Sequence, residues 1–172
     1  DVMAGTESGN RMNLETFVQR NYMEKILCDA NRRFRDMSNG QFELKLINVE
    51  DAGEGKNKGL DFEVYSIVTG KTRSVNTLSG GESFMAALSL ALGMADQIQA
   101  ATAAIHLDVM FIDEGFGSLS DNARNEAVNI LKEMAGKQRQ IGIISHVSEL
   151  KDEIENQLIV KKDDRGSHIS WR

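Results

Sequence analysis

Two short apolar runs constrain the fold of this chain more than any other feature of its sequence. Residues 107–112 and 141–144 are mainly apolar and do not alternate regularly with polar positions. A helical pattern over residues 122–134 separates them, and this order predicts parallel strands buried on both faces. Each run ends in polar side chains, Asp113-Glu114 and Ser145-His146. The chain is therefore expected to bring these side chains to one edge of a parallel sheet.

The remainder of the chain predicts an antiparallel layer and flanking helices. Apolar residues three or four apart predict a long helix over residues 14–38, and a second helix follows Gly80-Gly81. Alternation and turn residues predict the other elements: strands at residues 42–46, 60–64 and 72–75, a Gly- and Lys-rich loop at residues 51–59, and a terminal hairpin at residues 158–161 and 167–171. We thus predict an α/β fold over residues 14–172, an antiparallel meander plus a parallel sheet, with residues 1–13 a flexible start or an artificial junction.

Length and charge narrow the class of protein. At 172 residues the chain has room for one domain, or for one lobe of a larger one. The formal net charge of −6 argues against a large nucleic-acid-binding face on this piece alone. We find no apolar run long enough to cross a bilayer and no secretory segment, so a cytoplasmic location without membrane contact is expected. The single cysteine, Cys28, excludes an internal disulfide and is predicted to lie in the core.

The segment Leu78-Ser79-Gly80-Gly81-Glu82-Ser83-Phe84 combines a hydroxyl, two glycines and the start of a helix. Glycines let the backbone approach a phosphate, and the unpaired amides and positive dipole end of a helix favour an anion. An isolated Ser-Gly-Gly is more often an ordinary capped helix start. The motifs further along the chain favour the phosphate-binding interpretation.

The acidic pair Asp113-Glu114 follows a strand at the edge where such sheets bind ligands. In phosphoryl hydrolysis, the first carboxylate can hold Mg²⁺ directly or through water, and the second can orient or deprotonate the attacking water. The alternative is a solvated acidic turn. His146 occupies the matching position after the second run, whereas His106 and His168 lack such a context and are interpreted as structural. The basic residues near the meander loops are interpreted as solvated charges, with contact to a DNA backbone as the alternative: Lys56, Lys58, Lys71 and Arg73.

In this order, the three motifs resemble the signature loop, Walker B strand and switch histidine of ABC-type ATPases. Within that class, residues 111–119, 77–84 and 142–147 resemble the SbcC family, coiled-coil ATPases of DNA double-strand-break processing. The likeness covers nearly the whole chain, and residues 14–38 correspond to the helix that descends from the coiled coil. The chain is similar to the C-terminal lobe of such a head, because it contains no Gly-x-x-x-x-Gly-Lys-Ser/Thr phosphate loop.

This resemblance implies roles for individual residues. Asp113 would support Mg²⁺, Glu114 would be the catalytic carboxylate, and His146 would contact the γ-phosphate of ATP. The signature residues would contact the nucleotide held by a second head: Ser79, Gly80, Gly81 and Glu82. Where the family usually has Asp after Ser-Leu, this chain has Ser120 followed by Asp121, so which of these two makes the contact between heads stays open.

The resemblance also implies partners. The phosphate loop would come from the N-terminal half of the same protein, and two heads would enclose two nucleotides. ATP binding would close the dimer and hydrolysis would open it, gating an SbcD-type nuclease that cleaves ends and hairpins of double-stranded DNA.

Two other classes remain open at this point. An SMC-like chromosome-organising ATPase would share the head, but its acidic pair is normally followed by residues other than Gly115-Phe116-Gly117. A transporter ATPase usually has a glutamine at the position of Glu82, a proline after the acidic pair and a shorter spacing than the 34 positions between Ser79 and Asp113. It would also need the phosphate loop within this same domain.

Overall fold

The computed structural model describes residues 14–48, 60–101, 107–135 and 139–172. Two short 3₁₀ turns, Val75–Thr77 and Phe116–Ser118, precede the second and third helices. The helices and strands follow in this order: α1 Leu14–Met37, β1 Phe42–Leu46, β2 Phe62–Ser66, β3 Lys71–Ser74, α2 Gly80–Ala101, β4 Val109–Asp113, α3 Asp121–Ala135, β5 Gln140–Ile144, α4 Leu150–Glu153, β6 Leu158–Asp163 and β7 Gly166–Trp171.

Helices α1 and α2 pack closely, and a glycine permits their approach. A β-carbon on Gly93 of α2 would lie 2.8 Å from the carbonyl oxygen of Ile26 and 3.0 Å from the amide nitrogen of Ala30. Phe34 and Leu92 are fully buried in the core that these helices share with the meander and α3. The long helix predicted over residues 14–38 is therefore confirmed, and its C-terminal half is anchored in the core.

The antiparallel meander is confirmed. The strands occur in the order β1-β2-β3, with Leu44 opposite Val64 in the first pair. Asn31 of α1 binds the backbone of Leu44 twice: its amide nitrogen donates to the carbonyl at 2.9 Å, and its side-chain oxygen accepts from the N–H at 2.7 Å. The long helix and the meander are thus joined by hydrogen bonds as well as by apolar packing.

Strands β4 and β5 are parallel, as predicted, but the prediction that they are buried on both faces is wrong. Ile112 faces the core and is 9% exposed, whereas Phe111 on the opposite face is 71% exposed and Val109 is 51% exposed. An unbroken apolar run indicates a strand that is covered on both sides. The described residues supply a packing layer on one side only.

Two further expectations need correction. Cys28 is exposed and so does not lie in the core, whereas its neighbours Ile26, Leu27 and Ala30 are buried. Helix α2 is long and apolar enough to cross a membrane by length and composition, contrary to the expectation that no such run exists. Its packing accounts for its apolar character, because Met85, Leu88 and Leu92 are buried against the rest of the molecule.

The terminal hairpin is confirmed as β6 and β7, which pair antiparallel with Leu158 opposite Trp171. Several predictions concern residues outside the described ranges: the flexible start at residues 1–13, the loop at residues 51–59, and the interpretation of His106.

Candidate active-site edge

The sheet brings the acidic pair and the histidine together at the carboxyl ends of β4 and β5. Asp113 lies opposite Ile144 in the parallel register, and the amide of Glu114 extends the ladder by donating to the Ile144 carbonyl at 2.9 Å. Beyond this point Oε2 of Glu114 lies 2.8 Å from Nδ1 of His146. The side chains of His146 and Glu114 are 79% and 53% exposed. Because it is solvated, this contact adds little to stability and is open to a ligand.

The backbone at Glu114 adopts a conformation that most side chains avoid. Its φ angle is +58°, and Gly115 follows at +93°. Left-handed backbone at a residue other than glycine costs of order 1 kcal/mol or more and is frequently found at functional sites. Here it turns the chain sharply after β4 and directs the Glu114 carboxylate towards His146.

Packing against α2 fixes this turn. A β-carbon on Gly115 would lie 2.1 Å from the ring of Phe84, so only glycine fits. The Phe84 ring meets the fully buried Phe116 edge to face, with 5.0 Å between centroids. Phe84, near the start of α2, therefore supports the backbone that presents Glu114.

Ser79 caps α2 in a reciprocal arrangement with Glu82. The Glu82 amide donates to Oγ of Ser79 at 3.3 Å, and the Ser79 amide donates to Oε2 of Glu82 at 2.7 Å. This is a capping box, a common start of a helix. The Ser79 side chain is exposed and its hydroxyl proton is left to donate elsewhere, so the cap leaves phosphate binding open.

The two glycines of the signature segment differ in their surroundings. A β-carbon on Gly81 would lie 2.6 Å from the carbonyl oxygen of Ser118, whereas one on Gly80 would have its nearest neighbour at 3.7 Å. Gly81 is thus required for packing against the loop after the acidic pair. Gly80 is exposed and has space around it, which suits close approach by a ligand.

Glu82 is held as a carboxylate by its neighbours. Burial raises its pKa, but hydrogen bonds from the Ser79 backbone and side chain, together with the charge and hydrogen bonds of Arg73, outweigh burial and hold the pKa below the ordinary value of 4.5. The sequence predicts Arg73 to be a solvated loop charge, but it is half-buried and lies 3.4 Å from this carboxylate.

Ser120 and Asp121 both take part in the start of α3. Oγ of Ser120 accepts from the amide of Ala123 at 3.4 Å, and the carboxylate of Asp121 lies 2.6 Å from the guanidinium of Arg124. The Asp121 side chain is 87% exposed. Both residues therefore have local partners, and their assignment to a contact between heads stays a prediction.

The structure thus places the predicted site residues in two groups joined by backbone packing. Glu114 and His146 touch each other, and the signature turn, residues 77–82, packs against the loop at Ser118 that follows the acidic pair. The packing of Phe84 against Gly115 and the contact of Arg73 with Glu82 could not be predicted from the sequence. The Ser-x-x-Glu spacing of Ser79 and Glu82 was a readable signal for the capping box.

The donor set can be compared with what ATP and Mg²⁺ require. Within the described ranges, no three His, Cys, Asp or Glu side chains converge as a metal cage. Mg²⁺ is usually held by one or two carboxylates, several waters and the phosphates of its substrate. The exposed carboxylates of Asp113 and Glu114 fit such a partial site.

Comparison with known proteins agrees with the motifs. A family model described as "SbcC/RAD50-like, Walker B motif" matches residues 56–133. The chain is 44% identical over 168 residues to the SbcC subunit of the SbcCD nuclease from Vibrio cholerae, covering 97% of this chain and 16% of that protein. It is 41% identical over 167 residues to the protein of the same name from Lactococcus lactis, covering 94% and 15%. The chain therefore spans about one sixth of the length of these curated relatives.

Solved structures support the fold. A chain from a study of ATP-driven dimerization and DNA-stimulated activation of SMC ATPases superposes with a TM-score of 0.68 at 17% identity, covering 91% of this chain and 89% of that one. The Smc head domain of Pyrococcus furiosus, solved with an extended coiled coil and bound to the C-terminal domain of ScpA, gives 0.65 at 21% identity, with coverage of 92% and 37%. By sequence the chain is similar to part of the SbcC proteins, and its fold is similar to that of Smc head domains.

Proposed function

We propose that this chain is the C-terminal lobe of the ATPase head of an SbcC-type DNA double-strand-break repair protein. ATP binding and hydrolysis across a dimer of heads would gate an SbcD-type nuclease that cleaves double-stranded DNA ends and hairpins. The phosphate loop would come from the N-terminal half of the same protein. The proposed location is the cytoplasm, without membrane contact.

The contact between Glu114 and His146 carries this proposal. Mg²⁺, when bound with ATP, would neutralise charge on the phosphates, and Asp113 is the residue assigned to hold it. Glu114 would accept the proton of the attacking water. Because Nδ1 of His146 faces Glu114, Nε2 is the nitrogen left for a phosphate oxygen. The contact also orients the Glu114 carboxylate, so His146 would act both on the nucleotide and on the general base, Glu114.

The uncovered face of the parallel sheet supports a further lobe in the same head. Val109 and Phe111 on β4, and Ile144 on β5, are each more than half exposed. Large apolar side chains on a sheet face are normally covered by another layer. Since the curated relatives are about six times longer than this chain, the N-terminal half of the same protein is the proposed source of that layer.

The deciding experiment uses the complete protein with Glu114 changed to Gln. We expect ATP binding to persist, turnover to fall by about 10²-fold or more through loss of the general base, and an ATP-bound closed dimer to accumulate. Glu155→Gln, which removes another exposed carboxylate outside the three motifs, is the control and should turn over normally. Near-normal turnover of the Glu114 variant would reject the role proposed for this residue.

A second experiment tests the division into halves. The 172-residue chain alone should neither bind nor hydrolyse ATP appreciably, and mixing it with the N-terminal half should restore both. Calorimetry measures the binding. Tight ATP binding by the isolated chain would contradict the proposal.

An SMC-like chromosome-organising ATPase is the second candidate, favoured by the likeness in fold to Smc heads. The residues Gly115-Phe116-Gly117 after the acidic pair and the identity with SbcC proteins weigh against it. Purification of the native complex separates the two, because the first candidate requires a bound nuclease and the second a ScpA-type partner.

A further inference from the structure

Arg73 connects the antiparallel meander to the signature turn. It lies on β3, and one guanidinium nitrogen donates to both the carbonyl and the hydroxyl of Thr77, at 2.7 and 3.0 Å. The other nitrogen, Nη2, lies 3.4 Å from Oε2 and 3.5 Å from Oε1 of Glu82. Thr77 and Glu82 stand on either side of Ser79, so Arg73 spans the turn from one end to the other.

The guanidinium of Arg73 also contacts an aromatic ring. Its central carbon lies 5.3 Å from the centroid of the Phe42 ring on β1, a cation–π distance. The side chain of Arg73 is 34% exposed and that of Glu82 is 24% exposed. Both partners are therefore partly shielded from water, unlike the open contact between Glu114 and His146.

The carboxylate of Glu82 connects Arg73 to Ser79. The Oε2 atom nearest to Arg73 is also the atom that accepts the Ser79 amide at 2.7 Å. The carboxylate thus restrains the Ser79 backbone through that amide, while the backbone amide of Glu82 binds the Ser79 hydroxyl separately. If Glu82 were free to rotate, the turn would lose one of the two bonds that define its shape.

We propose that Arg73 is a positioning residue for head closure, holding Glu82, and through it Ser79, in the arrangement in which the signature turn meets the nucleotide of the opposing head. This inference rests on the proposed function, since it requires a second head. A residue with a purely structural role would alter the stability of the head without altering its ATP-dependent association.

The test uses Arg73→Gln in the complete protein. We expect monomers to bind ATP with wild-type affinity and to melt at nearly the wild-type temperature. Their ATP-dependent dimerisation constant, followed by light scattering, should fall about tenfold. A partly exposed ion pair changes an equilibrium by about threefold, and a symmetric dimer contains two copies of the turn.

A double-mutant cycle shows whether Arg73 acts through Glu82. Glu82→Gln keeps an acceptor for the Ser79 amide but removes the charge, so adding Arg73→Gln to it should weaken dimerisation no further. Equal losses in both backgrounds would overturn the inference. Wild-type dimerisation of Arg73→Gln would overturn it as well.

Two controls keep the result interpretable. Lys71→Gln removes a positive charge from the same strand, and within the described structure Lys71 has no ion-pair partner, so dimerisation should be unchanged. Should Arg73→Gln fold poorly, Arg73→Lys retains the charge but cannot span both Thr77 and Glu82. It should still dimerise more weakly than wild type, and wild-type dimerisation by it would contradict the inference. Failure of the wild-type protein itself to dimerise with ATP would instead reject the proposed function.

Discussion

Oε2 of Glu114 and Nδ1 of His146 lie 2.8 Å apart, although 32 positions of sequence separate the two residues. This contact depends on the parallel register of β4 and β5. The register pairs Asp113 with Ile144, so the segments that follow the two strands leave the sheet at the same edge. The left-handed backbone of Glu114 then turns its side chain towards the histidine. The contact therefore depends on the strand pairing and on the turn, and each can be tested.

Changing His146 to Ala in the complete protein should lower ATP turnover by about 10²-fold with ATP binding retained, because a positioned polar group at the reacting centre is lost. His168 offers a matched control. It also contacts a carboxylate, with Nε2 at 3.0 Å from Asp163, but it lies in the terminal hairpin. His168→Ala should turn over normally. Equal loss of turnover in the two variants would contradict the assigned role.

Changing Ser79 to Arg should separate nucleotide binding from head closure. The bulky cation would block approach of the opposing head, so monomers should bind ATP normally but fail to dimerise, and turnover should collapse. Ser79→Ala removes the cap without adding bulk and should cost about 1 kcal/mol of stability, and it should weaken dimerisation without abolishing it. Light scattering measures the ATP-dependent dimerisation of each variant, and a separate titration measures its affinity for ATP. Normal dimerisation of Ser79→Arg would leave Ser79 as a helix cap only.

Alanine at the two signature glycines should have opposite effects on stability. Gly81→Ala places a β-carbon 2.6 Å from the Ser118 carbonyl oxygen and should destabilise the head by about 1–3 kcal/mol. Gly80→Ala makes only ordinary contact at 3.7 Å and should be neutral or stabilising, since alanine is the better helix former. Thermal denaturation of the two variants side by side gives the comparison. Equal melting temperatures would mean that the loop at Ser118 yields easily.

The contribution of Glu82 to stability should depend on pH. Its folded pKa lies below the ordinary value of 4.5, so its ionised form stabilises the fold fully at pH values above 4.5. This contribution is lost as the pH falls below 4.5 and through the lowered pKa. Glu82→Gln should therefore melt below wild type at neutral pH, and the difference should shrink in acid. A constant difference from neutral to acid pH would contradict the role of the carboxylate charge.

The sequence predicted the elements of the fold because their signals are local. The period of the apolar residues distinguishes α1 from β1 and β2, and the double glycine marks the start of α2. The parallel pairing of β4 and β5 followed from the absence of alternation. The exposure of one face of these strands could not be predicted. An apolar run indicates that a strand needs to be covered, but it does not indicate which segment covers it.

The candidate site was predicted in its residues but not in its contacts. Asp113, Glu114 and His146 were readable because they lie at or just beyond the ends of apolar runs. The contact of Phe84 with Gly115, and the link from Arg73 to Glu82, depend on how separate elements pack. The functional roles of these residues stay predictions until the variants above are measured.

The side chains of α1 and of the turn after it close the outer edge of β1. Asn31 occupies both backbone groups of Leu44, Oγ of Ser38 accepts the amide of Phe42 at 3.3 Å, and Arg20 binds the carbonyl of Ile47 at 2.8 Å. A bare edge strand would recruit any extended chain nearby and promote aggregation. With these groups already bonded, β1 is a poor template for adding a strand. A second copy that met this edge would be held by side chains or ligands and not by a continuous sheet.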